Sequence, residues 1–423
     1  MERILKITAV IAEYNPFHNG HLYQLQQVRA RTGADFIIVA MSGDFVQRGE
    51  PAIYDKYTRT RMALNAGADL VLELPVSFAT GSAEDFASCA VALLDRIGAV
   101  DLLCFGSECG DIRPLRKLAG ILSEEPQEYT VLLKEFLRQG DSFPKARASA
   151  LAQYLSRQSL NSGDETSMLQ LLSSPNNILG MEYLKALIRR RSSIEPFTIL
   201  RQGGGYHDTE IQDDGCFASA SAIRKALAKG DISSAAAQMP ACSQETIETV
   251  LPLPVFADDL TGLFHYRLLD LSHTDQDLTI FSDVSRELAD RIRRQLLDYA
   301  SFSDHVAALK TRQYTYTRIS RALLHILLGI TDQELTEYRR NQYVSYARIL
   351  GFRRTAGPLL SRIKEASEIP LIAKTADARR ILNEDALRMF RTDLHASHIY
   401  QSIRFQKSGI RSRNEFTQSV IIL

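Results

Sequence analysis

The sequence predicts an α/β fold: a doubly wound parallel sheet followed by a mainly α-helical carboxy-terminal domain. Three observations predict it. Short, almost wholly apolar runs alternate with helical patterns over the first 230 residues, a glycine-containing polar segment follows the first run, and strand signals fade after about Pro240. Apolar runs without alternation suit strands covered by helices on both faces. Strand–helix alternation of this kind builds parallel sheets.

Taken in order, Ile7–Tyr14 reads as the first strand, with a helix from about His21 to Arg31. Asp35–Met41 is the second strand, followed by a helix at Tyr57–Ala66. Asp69–Leu74 is the third, with helical Ala83–Ile97 after it, and Asp101–Phe105 and Phe197–Leu200 are the fourth and fifth. Between residues 113 and 172 the pattern turns helical, with a polar stretch at Gln153–Ser167, and reads as an insertion in the sheet domain. Periodic helices follow at Leu251–Leu271, Phe281–Ala300 and Thr317–Leu328. A chain of 423 residues exceeds what one core usually spans. The expected division is a sheet-bearing unit at 1–235 and a helical, basic unit at 236–423.

Apolar content of 45% and charged content of 24% are those of an ordinary globular protein. The five cysteines are odd in number and form no CxxC pair, which argues against a disulfide framework or a structural zinc site. No apolar run approaches bilayer length, and Met1–Lys6 starts no leader-like pattern, so no membrane partner and a cytoplasmic location are expected. Net charge is zero but unevenly spread. Residues 301–423 carry 20 Lys+Arg against 11 Asp+Glu, leaving 30 against 39 in the rest. A +9 tail points to a polyanionic partner such as nucleic acid, or else to a solvated basic helical face.

The chemistry concentrates at Ala9-Val10-Ile11-Ala12-Glu13-Tyr14-Asn15-Pro16-Phe17-His18-Asn19-Gly20-His21-Leu22. This is a strand, a proline turn, and two histidines around a glycine at the mouth of a helix. Helix amino termini attract anions, and glycine lets a nucleotide approach the backbone. Imidazoles can donate to phosphoryl oxygens as charge builds, which points to chemistry at a nucleotide α-phosphate. Companions stand at the same sheet edge. Met41–Pro51 leads into a helix start with Lys56, Arg59 and Arg61, cations able to neutralise phosphate or to line a solvated face. Gly106-Ser107-Glu108 follows strand four, and Ser174-Pro175-Asn176-Asn177 opens a helix with an Asn as cap or ligand contact. Arg201-Gln202 ends strand five before three glycines and Tyr206-His207-Asp208. Ser219-Ala220-Ser221-Ala222-Ile223-Arg224 begins a further helix, either as a plain serine cap or as a grip on β- and γ-phosphates.

HNGH paired with Ser219–Arg224 resembles the two motifs of the HxGH nucleotidyltransferase superfamily, although Ala220 stands where a second hydroxyl is usual. The strings EYNPFHNGHL, MSGDFVQRGEPA, FGSE, SPNNILGMEYLKAL and GGYHD are similar to those of the tRNA(Met) cytidine acetate ligases. The likeness continues at Arg321–Gly329 and Tyr346–Phe352 and so covers most of the chain. It implies a ligase that activates acetate with ATP as acetyl-adenylate and acetylates N4 of the wobble cytidine of elongator tRNA(Met). Under it, His18 and His21 act at the α-phosphate. Arg224, Ser221, Lys56 and Arg59 hold the outgoing phosphates, and Ala9–Leu22, Gly106, Asn176 or Asn177, and Arg201-Gln202 contact ATP. Mg²⁺ is expected with ATP, its ligands unassigned. Candidates for tRNA contact are Arg312, Arg318, Arg321, Arg348, Arg353 and Arg354, with Tyr314, Tyr316 and Tyr346 able to stack on bases or to pack. Two other readings share part of this pattern: a small-cofactor adenylyl- or cytidylyltransferase, which needs no basic tail, and a non-catalytic nucleotide-binding module, which needs no intact His18, His21 and Arg224. A synthetase-like relative would carry a lysine-rich second motif, absent where ASASAIR stands.

Overall fold

The computed structural model describes residues 5–141, 143–158, 170–202, 217–250, 253–311, 314–409, 411 and 413–423. Its main sheet is centred on β1 (Ile7–Ala12). β2 (Phe36–Ser42) pairs with β1 in parallel, Ile7 opposite Phe36 through Ala12 opposite Met41. A small antiparallel hairpin follows, β3 (Phe45–Val46) with β4 (Glu50–Pro51), and then β5 (Leu70–Leu74) pairs in parallel with β2. On the other side of β1 lie β6 (Leu102–Ser107) and, beyond it, β7 (Glu195–Leu200), both parallel. The chain therefore winds out one way from β1, returns, and winds out the other way. The switch falls between β1 and β6, where diverging loops leave a crevice beyond the carboxyl ends of the strands.

Both faces of this sheet are buried, which is why its strands read as unbroken apolar runs. Ile7, Ala9, Ile38 and Ala40 pack into one core, and Val10, Ile37, Val39 and Met41 into the other. All five expected strands are present, with ends moved by one or two residues.

The sheet does not stop at the expected boundary near residue 235. β8 (Ala347–Phe352) lies antiparallel to β5, with a register shift between Val71 and Leu72, and β9 (Leu371–Ile372) and β10 (Ile421–Ile422) pair in parallel with β8. Three strands of a largely helical carboxy-terminal region thus complete the sheet. The charge at Arg348 hides β8 in the sequence. Arg348 stands opposite Glu73 of β5, and the two side chains form a cross-strand ion pair of 3.0 Å.

Helix bounds differ where proline or a cap intervenes. Of the expected Leu251–Leu271 helix, the part from Thr261 onward is helical, after a 3₁₀ turn at Ala257–Leu260; Pro254, which cannot donate to a helical ladder, precedes both, and residues 251–252 lie outside the described residues. Phe281–Ala300 shortens to Arg286–Arg294, capped by Ser285. The 113–172 insertion supplies helices at Ile112–Glu124, Gln127–Arg138 and Phe143–Arg157; residues 159–167 of its polar stretch lie outside the described residues. The β3–β4 hairpin turns at Gly49, φ +78°, where a Cβ would sit 2.4 Å from the Arg321 nitrogen. Glycine there lets the hairpin seat against the Tyr316–Leu328 helix, whose Ser320 hydroxyl donates to the Gly49 carbonyl at 2.8 Å.

Candidate active site

The motif at the end of β1 is shaped by its backbone. Tyr14 has φ +51°, a left-handed conformation uncommon for a residue with a Cβ, and the Asn15–Pro16 bond is cis. The chain then enters the Asn19–Thr32 helix with His18 as its N-cap. The His18 Nδ1 accepts from the Gly20 N–H at 3.1 Å, and the His21 Nδ1 accepts from the His18 N–H at 3.2 Å. The two rings lie 3.8 Å apart, inclined by 30°. A Cβ at position 20 would come 2.9 Å from His18 Cε1, so the spacing HxGH is also a steric requirement.

Those two bonds fix the tautomers. A neutral imidazole that accepts at Nδ1 carries its proton on Nε2, so each ring keeps one N–H donor. Burial, then Arg201 and Arg224, pushes His18 down to about 3. His21 falls well below its ordinary value through burial, His18 and Arg201. Both rings are therefore neutral donors at pH 7 in the absence of an anion. A bound phosphate would draw both upward.

The pair opens on a cavity of about 250 Å³ at the β1–β6 switch point. Of the residues expected from sequence, Ile11, Ala12, Glu13, Tyr14, Asn15, His18, His21, Gly106, Asn176, Arg201, Ser221 and Arg224 line it. Gln202 and Gly20 line an adjoining pocket of about 50 Å³, shared with His18, His21, Gly106 and Arg201. Arg224 is aimed by its neighbours: Nη1 donates to the Asn15 carbonyl at 2.8 Å, and Nη2 lies 3.4 Å from both Ser221 Oγ and Glu50 Oε1. Ser219 caps this helix, accepting from the Ala222 N–H at 3.1 Å. Across the cavity, Arg201 Nη1 donates to Asn176 Oδ1 at 3.2 Å.

Other expected residues serve the scaffold. Ala9, Val10, Phe17 and Leu22 pack into the cores, and Asn19 donates to the carbonyls of Ala237 and Gln238. Pro16 is buried in the turn and does not line the cavity. The cap of the Pro175–Arg190 helix is Ser174 rather than an asparagine, and it makes no side-chain capping bond. Glu108 takes that place. Its carboxylate accepts from the N–H groups of Asn176 and Asn177 at 3.1 and 2.8 Å and from Asn176 Nδ2 at 2.7 Å. Asn177 is buried, its Oδ1 accepting from the N–H groups of Glu108 and Cys109, and it does not reach the cavity.

Lys56 and Arg59, expected at the phosphates, lie elsewhere. The Lys56 ammonium is wholly buried, 2.8 Å from Glu73 Oε1, 3.1 Å from Glu415 Oε2 and 2.7 Å from Ser397 Oγ. Arg59 is equally buried and donates to the carbonyls of Tyr54, Glu13, Ser42 and Gly43, buckling the ends of β1 and β2 together.

Among the tail arginines, Arg348 is buried between Glu73 and Glu415, and Arg321 pairs with Asp283 at 3.0 Å. Arg353 donates to the Leu64 carbonyl, Arg318 lies over the Tyr314 ring, and Arg354 is exposed. Tyr314 and Tyr346 are buried, whereas Tyr316 is 42% exposed. Arg312, the three glycines and Tyr206-His207-Asp208 lie outside the described residues. The charge asymmetry is in large part internal. Arg321, Arg339, Arg348, Arg362, Arg404 and Lys407 pair with Asp283, Asp85, Glu73, Asp101, Asp55 and Asp259, tying the basic tail to the acidic front.

The cavity also contains residues the sequence did not single out for it: Gln24, Phe86, Phe105, Ile178, Leu179 and Tyr183, with Gln47 and Arg48 of the polar loop. Gln24 follows His21 by three residues on one helix, a spacing that could have revealed it. The apolar residues come from three elements far apart in sequence, Phe86 from the Ala83–Arg96 helix, Phe105 from β6, and Ile178, Leu179 and Tyr183 from the Pro175–Arg190 helix, and no local spacing announces that they meet.

The sequence pattern of the HIGH nucleotidyl transferase family matches residues 5–415. A tRNA(Met) cytidine acetate ligase of Acetivibrio thermocellus is 42% identical over 431 residues, covering 99% of this chain and 100% of that protein. One from Clostridium acetobutylicum is 40% identical over 420 residues with the same coverage. A crystal structure of apo Thermotoga maritima TmcAL superposes with TM-score 0.91 at 32% identity, over 99% of this chain and 100% of that one. The form bound with alpha-thio ATP superposes at 0.88, with the same identity and coverage.

Proposed function

The chain belongs to the tRNA(Met) cytidine acetate ligases of the HIGH nucleotidyl transferase family, and from this premise we propose that it joins acetate to tRNA in two steps at the β1–β6 cavity. Acetate attacks the α-phosphorus of ATP, pyrophosphate leaves, and acetyl-adenylate remains. The N4 amine of the wobble cytidine of elongator tRNA(Met) then takes the acetyl group and AMP departs. The observation that carries this reading is the convergence of His18, His21, Ser221 and Arg224 on one cavity from segments some 200 residues apart.

Each of these groups has a role that its placement supports. The Nε2–H groups of His18 and His21 stabilise charge developing at the α-phosphate, a contribution available because both rings are neutral, fixed and desolvated. Arg224, Ser221 and the amino terminus of their helix hold the departing pyrophosphate. Gly106, Arg201, Gln202 and Asn176 hold the nucleoside. The catalysis is mainly positioning and electrostatics.

Among the described residues no group of three His, Cys, Asp or Glu side chains is arranged to hold a divalent ion. Mg²⁺, expected with ATP, would arrive as part of the MgATP substrate. For the tRNA, Arg354, with Arg318 and Arg353, offers phosphate contacts. No described helix is long and apolar enough to cross a membrane, and the site of action proposed is the cytoplasm.

Pyrophosphate exchange into ATP tests the first step. Exchange that requires acetate supports the reading, whereas exchange with no acid, or none with or without tRNA in folded, ATP-binding protein, overturns it in favour of a small-cofactor nucleotidyltransferase.

A further inference from the structure

Acyl transfer to cytidine poses a problem that the histidines do not solve. The N4 lone pair is delocalised into the ring, so the amine is a weak nucleophile. The nitrogen that adds to the acetyl carbonyl must lose a proton if it is not to be expelled again. A base in the cavity wall would speed that loss.

The cavity's inventory narrows the choice. His18 and His21 already accept at Nδ1 and present only N–H donors. Burial pushes the phenols of Tyr14 and Tyr183 up, so both stay protonated and can donate but not accept a proton. Arg48, Arg201 and Arg224 are cations. Glu13 is the one carboxylate among the described lining residues.

Glu13 is also held for such a task. It stands at the carboxyl end of β1, immediately before the left-handed turn at Tyr14. Its backbone carbonyl accepts from Arg59 at 2.6 Å, and its Oε1 accepts from the Gln47 N–H at 2.8 Å. It is partly exposed, and it shares the cavity wall with Asn15, whose carbonyl aims Arg224.

Resting on the ligase reading above, we propose that Glu13 is the proton acceptor of the second step, taking the N4 proton as the cytidine amine attacks acetyl-adenylate. The nitrogen lone pair forms the C–N bond, and the bond from the acetyl carbon to the phosphate oxygen breaks. AMP leaves with that electron pair, and the proton passes from N4 to the Glu13 carboxylate.

The surroundings suit a base that becomes active late. Burial raises Glu13, while the Gln47 N–H, Arg48 and Arg224 lower it and Glu50 raises it. Among the described residues, Arg59 and Tyr183 also face it. Arg224 is the same cation that holds pyrophosphate. Before pyrophosphate leaves, the anion competes for that charge; afterwards Arg48 and Arg224 are available to favour the carboxylate form.

The test separates the two steps in the full-length protein. Acetate-dependent pyrophosphate exchange reports the first. Single-turnover transfer from preformed acetyl-adenylate to a tRNA(Met) transcript reports the second, across a pH series. For Glu13→Gln, transfer is expected to fall by about 10²–10⁴-fold, at least about tenfold more than exchange falls. The wild-type rate should rise with pH through one titration, and that limb should vanish in the variant. Glu13→Asp, which keeps the base at shorter reach, should transfer slowly but retain the limb. Equal losses in exchange and transfer, an unchanged pH limb in Glu13→Gln, or Glu13→Asp behaving as Glu13→Gln would each overturn the proposal. Wild-type protein without acetate-dependent exchange would instead overturn the ligase reading on which it rests.

Discussion

Two groups of cations in this molecule look alike in sequence and differ in what faces them. Arg201 and Arg224 line an open cavity beside two neutral histidines, and their guanidinium groups are anchored partly on neutral oxygens, the Asn176 amide and the Asn15 carbonyl. Lys56 and Arg348 are buried against Glu73 and Glu415, with Ser397 completing the cluster. The first arrangement faces the cavity, with Glu50 3.4 Å from Arg224 as a carboxylate neighbour. The second cancels its charge inside the protein, at the junction of β5, β8 and the carboxy-terminal segment. A cation near a phosphate motif is therefore no guide to phosphate binding until the nearest carboxylates are known.

This contrast can be broken by substitution, and the largest effect is expected at the buried cluster. Lys56→Met leaves Glu73 and Glu415 short of a partner and should cost about 3–5 kcal/mol of folding stability by urea titration. A loss below 1 kcal/mol would place the ammonium outside the cluster. His18→Ala removes a donor from the cavity and should lower acetate-dependent exchange by about 10²–10³-fold. Its stability cost should be only that of a lost helix cap, about 1 kcal/mol.

Gly20→Ala sharpens the cavity side of the comparison. The new methyl group must push the His18 ring aside, and exchange should fall by about 10–100-fold with the fold intact. The buried cluster has a pH signature instead. Against the penalty of burial, Lys56 and Arg348 hold Glu415 at about 2, down from 4.5. A depressed carboxylate contributes its stability above the unfolded value and loses it as pH falls from about 4.5 toward about 2. Glu415→Gln should be less stable at neutral pH and flatter across that acid window. The smallest effect is expected from Arg354→Ala, which should leave exchange unaltered and reduce the salt slope of tRNA binding by about one phosphate's worth.

What the sequence disclosed follows from the same contrast. Strands buried on both faces are legible because nearly every residue in them is apolar, and the HxGH spacing is legible because helix caps and a steric glycine are local. Ser219 to Arg224 could be read as a helix start for the same reason. β8 was not legible: its Arg348 is neutralised by Glu73, some 275 residues away in sequence, which only the fold brings together. Likewise the basic tail looked like a nucleic-acid surface, whereas six of its cations are spent on carboxylates from the first 300 residues. Phe86 and Tyr183 reach the cavity from separate helices, and no local spacing announces such a meeting.

The most direct test of the difference between the two groups is acetate-dependent pyrophosphate exchange per folded molecule, compared between His18→Ala and Lys56→Met. His18→Ala should remain folded and lose at least about 100-fold, while Lys56→Met should lose stability yet exchange within a few-fold of wild type whenever folded. A folded Lys56→Met protein without exchange, or a His18→Ala protein with full exchange, would contradict the assignment of chemistry to the cavity and of structure to the cluster.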